Sequence, residues 1–136
     1  MIFSNKSNDK NTDLIKVAAL LIHAAKIDEN YSDQEEKIIN KTLLELGAKR
    51  ENLENIMINA KKIEDNANQI LDFTREIKNM NQENKIKIIE SLWQIIYSNQ
   101  EADIYETGLM RRLAGLLYID NKTMGDIKER IKKENK

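Results

Sequence analysis

The chain contains no cysteine and no proline, and has only four glycines and one histidine. Without cysteine there are no disulfides, no thiolate metal sites and no cysteine nucleophile. A lone histidine leaves little material for a polyhistidine metal site or a Ser/His/Asp arrangement. A large β-sandwich or barrel needs many turn residues, and a phosphate loop needs clustered glycines. Here the glycines are scattered at Gly47, Gly108, Gly115 and Gly125. Aromatic residues make up 5% of the chain against 40% hydrophobic residues in all, so the core must be mostly aliphatic. Neither charge sign dominates: 22 Lys+Arg oppose 23 Asp+Glu, a net charge of −1. General nucleic-acid and anionic-membrane binders carry a clear basic surplus, which is missing. The longest apolar stretch, Val17 to Ala25, is interrupted by His23. It falls well short of the ~20 residues that cross a bilayer. The polar amino terminus has no apolar secretory core, so a cytoplasmic location is expected.

What is present is helical periodicity. Leu14, Val17, Ala18, Leu21, Ile22 and Ala25 recur at helical spacing and predict a first, largely buried helix starting near Thr12. Residues 1–11 are polar and are expected to form a flexible segment, leaving residues 12–136 as one helical domain. Ser32-Asp33-Gln34-Glu35 has the capping-box pattern and opens a second helix through Ile38, Ile39, Leu43 and Leu46. Gly47 stands where a glycine ends it. Further helices are marked by Leu53 to Ile63, by Ala67 to Ile77 with Phe73 on its flank, by Ile86 to Tyr97, by Leu109 to Leu117, and by Asn121 to Lys133. No segment alternates strictly. The predicted fold is all-α, a compact bundle of about seven helices.

The two halves align with one displacement of 71 residues. Leu21 falls on Leu92, Ile22 on Trp93, Asp28 on Asn99, Glu35 on Glu106 and Leu46 on Leu117. Each unit is a buried helix, a polar loop and a second amphipathic helix, and Asp103 to Glu106 repeats the capping-box pattern. Such a duplication predicts two helical hairpins about a pseudo-two-fold axis.

The loops carry a family resemblance. AAKIDENYSDQEE resembles the A-x-A-D-G-x-I-S-x-x-E loop of the TerB-like tellurite-resistance domain. Leu92 to Ile119 (LWQIIYSNQEADIYETGLMRRLAGLLYI) resembles the second signature of that family, L-W-x-x-A-Y-A-D-G-x-L-x-x-x-E-x-x-L-I-R-R-L-A-x-L-L. Between them, ANQILDFTREI resembles its D-L-x-x-F-T-R segment. The resemblance spans about Asp13 to Asn121 and implies a compact seven-helix, pseudo-two-fold fold. It also implies a site at the acidic loop positions, for divalent cations or for a protein partner. Asp28, Glu35 and Glu106 keep the acids of the family, whereas Asn99 replaces an aspartate. Glu29 and Gln100 replace the two loop glycines.

Two readings of these acids compete. In one, Asp28, Glu35, Asn99 and Glu106 converge as oxygen ligands for Ca²⁺, Mg²⁺ or Mn²⁺, with Glu36 beside them. The missing charge and stiffer loops then predict a weak site. In the plainer and favoured reading, Glu35 and Glu106 are capping residues that also suit the helix macrodipole. An EF-hand is excluded, because Asp33 takes the place of its glycine and Ile39 that of its bidentate glutamate. No substrate pocket, nucleophile with its base or oxyanion hole is legible, so no enzymatic activity and no catalytic residue is expected. The single His23 reads as a helix residue bonded to a neighbour, and Trp93 with Tyr97 as core anchors. Arg111-Arg112 and Arg75 read as a solvated or salt-bridged face, and the charged tail as helix with interleaved acids. The resemblance implies a non-enzymatic interaction or sensing module linked to tellurite resistance or stress, with a protein partner. Neither nucleic-acid binding nor membrane insertion is expected.

Overall fold

A computed structural model describes residues 2–26, 32–66, 71–98 and 104–134, with side chains from residue 13 onward except those of 104–107. Among the described residues there are seven α-helices and no strand. They are α1 (Ile2–Ala25), α2 (Asp33–Glu45), α3 (Leu53–Asn66), α4 (Leu71–Ile77), α5 (Gln82–Tyr97), α6 (Ile104–Leu116) and α7 (Asn121–Glu134). A short 3₁₀ turn, Arg50–Asn52, leads into α3. The expected all-α architecture is therefore observed. Helix α1 starts ten residues before Thr12. The Ile2 to Asn11 stretch is polar but holds neither proline nor glycine. Once a helix is nucleated, each added residue gains a hydrogen bond, so polarity alone does not end it.

Helix α1 is the hub. From Val17 to Ile22 every side chain is buried, and so are Ala24 and Ala25. A helix that is apolar all round has to be enclosed on all sides. Accordingly α1 packs against α2, α3, α4 and α5. Helix α5 is the second internal element, burying Ile88, Ile89, Leu92, Ile95 and Ile96 and packing on α1, α2 and α7. One polar pair lies within this core. The Thr42 hydroxyl is 2.9 Å from the Ile38 carbonyl and 2.7 Å from the Ser91 hydroxyl. A hydroxyl has one proton, so the consistent chain runs Ser91 to Thr42 to Ile38, each donating to the next. It ties α2 to α5 with no orphaned hydroxyl.

The seven-residue α4 is too short to hold its shape alone. It is fixed by Phe73, Thr74 and Ile77, all buried. Phe73 is fully enclosed rather than on the flank, and its ring centroid lies 6.1 Å from that of His23.

Helix ends follow side-chain chemistry. Asn81 caps α5 by accepting the Asn84 N–H at 2.8 Å. Asp120 accepts the Thr123 N–H at 2.7 Å, just before α7. The hydrogen bonds from Thr123 hold the Asp120 carboxyl below the usual carboxylate range. This contribution is complete above the unfolded value and is lost as pH falls through the lowered one.

Helices α2 and α6 have bounds displaced by 71 residues at both ends, and so do their terminating turns. After α2, the Gly47 N–H donates to Leu44 and the Ala48 N–H to Leu43, the paired bonds of a Schellman motif. After α6, the Tyr118 and Ile119 N–H groups donate to Gly115 and Ala114 in the same order. Gly47 has φ 107° and Tyr118 φ 58°, so both turns need the left-handed region. Glycine enters it freely, whereas tyrosine does so at a cost. Beside Tyr118 the buried Lys85 donates to the Leu117 carbonyl at 3.0 Å, and its ammonium lies 5.8 Å from the phenol ring centroid.

Candidate functional site

The first acidic loop leads into α2 through Ser32. Its backbone N–H donates to Glu35 Oε1 at 2.8 Å, and its hydroxyl accepts the Glu35 N–H at 3.2 Å. The expected capping box is complete. Glu35 is fully buried, so its carboxylate belongs to the packed end of the helix. Ser32→Ala is expected to lower stability by ~0.5–2 kcal/mol in urea unfolding. No change would mean that the cap contributes nothing in solution.

Asp28 and Asn99 lie outside the described residues, as does the Glu106 side chain, although residue 106 is in the first turn of α6. Of the four ligands expected for Ca²⁺, Mg²⁺ or Mn²⁺, Glu35 alone has a described side chain. The second capping box, Asp103 with Glu106, also falls outside it. Among the described residues no group of three or more His, Asp or Glu side chains is placed to hold a metal ion.

Acids near the end of α1 are engaged by cations instead. Lys26 Nζ donates to Glu64 Oε2 at 2.7 Å and to Asp65 Oδ1 at 3.1 Å, joining α1 to α3. His23 Nδ1 lies 3.3 Å from Glu64 Oε1, so the histidine bonds a neighbour as expected. The Glu64 contact, followed by that with Asp65, raises the Lys26 pKa above the ordinary lysine value. The stability it brings is complete below that value and is lost as pH rises through the raised one. With the lysine side chain 44% exposed, the contribution is small.

The opposite situation holds around α4. A groove of about 540 Å³ runs between α1, α3 and α4, and its charged lining residues are Lys16, Lys62 and Arg75 with Asp72 and Glu76. A second, of about 290 Å³, lies between α4 and the end of α6 and is lined by Leu71, Arg75, Lys78 and Tyr118, among others. The two share Leu71 and Arg75. Lys16 Nζ donates to the Asp72 carbonyl at 3.2 Å. Among the described residues Lys62, Arg75 and Lys78 have no ion-pair partner. Arg75 thus stands with lysines at these grooves, while Arg111 lines a separate cavity.

Leu71 is 42% exposed and Tyr118 73%. They are two of the three large apolar side chains left exposed among the described residues, Ile58 being the other. Both border the smaller groove, together with Arg75 and Lys78. Sequence reasoning missed this face. Leu71 has the spacing of a core residue, and Tyr118 carries no pattern of its own. The signal available was the alignment of Tyr118 with Gly47, which places a bulky residue where the turn needs a left-handed backbone.

The family model of tellurite resistance protein TerB matches residues 14–129. No curated protein matches the chain, and no solved structure does.

Proposed function

The chain belongs to the TerB family, and from that premise we propose that it is a non-enzymatic, cytoplasmic interaction module. Its α4 face takes an acidic segment of a partner protein, anchored by an apolar side chain. The link to tellurite resistance or stress comes through the family. One observation carries the reading: exposed Leu71 and Tyr118 flank a groove whose charged side chains, Arg75 and Lys78, are both cationic and unpaired. Apolar anchors ringed by uncompensated charge are what an oppositely charged, partly apolar segment needs. The strained Tyr118 backbone supports it further. A left-handed tyrosine persists where surroundings or use favour the side chain over glycine.

The test is a titration with a synthetic peptide of alternating aspartate and leucine. Saturable binding is expected, weakening with salt because exposed charges are screened beyond ~8 Å at physiological ionic strength. Arg75→Glu with Lys78→Glu is expected to abolish it, with thermal unfolding little changed because both side chains are exposed and unpaired. Binding that survives the charge reversal, or none by the unaltered protein, overturns the reading.

A further inference from the structure

A third cavity, of about 160 Å³, lies between α5, α6 and α7. Its apolar wall includes Trp93, Met110 and Met124, and its charged residues are Arg111 and Lys128. Among the described residues no carboxylate lines it. Lys128 Nζ stands 5.5 Å from the centroid of the Trp93 ring. Among the described residues neither cation has an ion-pair partner.

Two further observations concern what is unfilled. The Trp93 indole is 2% exposed, yet among the described residues its buried Nε1 has no hydrogen-bond partner. A buried indole N–H ordinarily finds an acceptor, and leaving it without one is unfavourable. Gly125 lines the same cavity from within α7. Glycine weakens a helix interior, and is normally explained there by a close approach of a neighbour. A Cβ at Gly125 would meet nothing within 4 Å. Close packing therefore does not require this glycine, and a side chain added there would project into open space.

We propose that this cavity binds a small organic carboxylate whose apolar body is about the size of a benzene ring. A cavity of about 150 Å³ accommodates benzene, which sets the size of the body. The two uncompensated cations set its charge. The carboxylate lies between Arg111 and Lys128, and the ring or branched chain packs on the methionines. The inference does not depend on the α4 face, since Arg111, Lys128 and Trp93 belong to other helices.

Trp93 is the only tryptophan, so its indole N–H gives a single assignable NMR resonance. Benzoate titrated into the full chain is the probe. A saturable shift of that resonance is expected, accompanied by a change in tryptophan emission. Benzyl alcohol, with the same ring but no charge, is expected to bind about tenfold more weakly or worse, the loss of a charge-assisted contact. Arg111→Gln and Lys128→Gln are each expected to weaken benzoate to a similar degree while leaving the thermal transition in place. Gly125→Leu is expected to fill the cavity and abolish the shift. Gly125→Ala, better suited to a helix, gives a folded second variant with weakened binding. No saturable shift with benzoate, equal affinity for benzyl alcohol, or unchanged affinity in the glutamine and alanine variants overturns the proposal.

Discussion

Trp93→Ala is expected to cost ~3–5 kcal/mol of unfolding free energy. Against the ~5–15 kcal/mol that holds a typical domain together, that is a large fraction. The indole is 2% exposed and lies on the apolar side of α5. Its ring stacks on Tyr97, one turn on, with centroids 5.9 Å apart and planes 25° apart. Truncation removes this stack, opens a void beside Met110, and takes away the ring beneath Lys128. Trp93→Phe isolates the polar part. Among the described residues the N–H has no partner, so deleting it leaves no acceptor there stranded. Only the volume difference remains, with an expected loss below ~1.5 kcal/mol, as for modest hydrophobic swaps. Urea unfolding followed by circular dichroism measures both variants without relying on the tryptophan signal. Equal losses in the two variants would mean that the indole N–H is bonded in solution.

Phe73→Ala should have an effect of similar size, ~3–5 kcal/mol, but a different distribution. Phe73 is fully buried and seats α4 against α1 beside His23. A seven-residue helix has no independent stability, so loss of its main anchor should release it before the rest of the domain. Hydrogen exchange is the suitable measurement. Amides of α4 should lose protection first and those of α5 last. Leu71, Arg75 and Lys78 lie on or just beyond α4, so the proposed peptide binding should weaken with it. Uniform loss of protection across all helices would show that α4 is not a separate unit.

The helix inventory was legible because apolar spacing survives without any knowledge of contacts. Leu14 to Ala25, Ile86 to Tyr97 and the Ser32–Glu35 box each locate an element that the structure contains. The start of α1 was not legible, since a helix end without a breaker has no local mark. Phe73 was misplaced because short α4 is enclosed through contacts from α1, which its own periodicity does not report. The loop acids read equally as ligands or caps, and the capping role of Glu35 is the one now visible. The cationic α4 face and the Trp93 cavity were illegible for a different reason. Lys16, Lys62, Arg75 and Lys78 are dispersed in a chain of nearly zero net charge, and only folding gathers them at the two grooves, the smaller of which has no acid among its described lining residues.

The central position of α1 has a consequence for synthesis on the ribosome. This helix is made before the surfaces that enclose it, which come from α2, α3, α4 and α5. Ala25 and Tyr97 are separated by a stretch that translation at ~5–20 residues/s takes several seconds to produce. Throughout that interval Val17 to Ala25 has no complete partner. The nascent chain therefore exposes its most apolar segment until α5 has emerged. Chaperones that shield exposed aliphatic helices should act during emergence rather than after release, and slow codons before α5 should lower the yield of folded protein more than slow codons within α7.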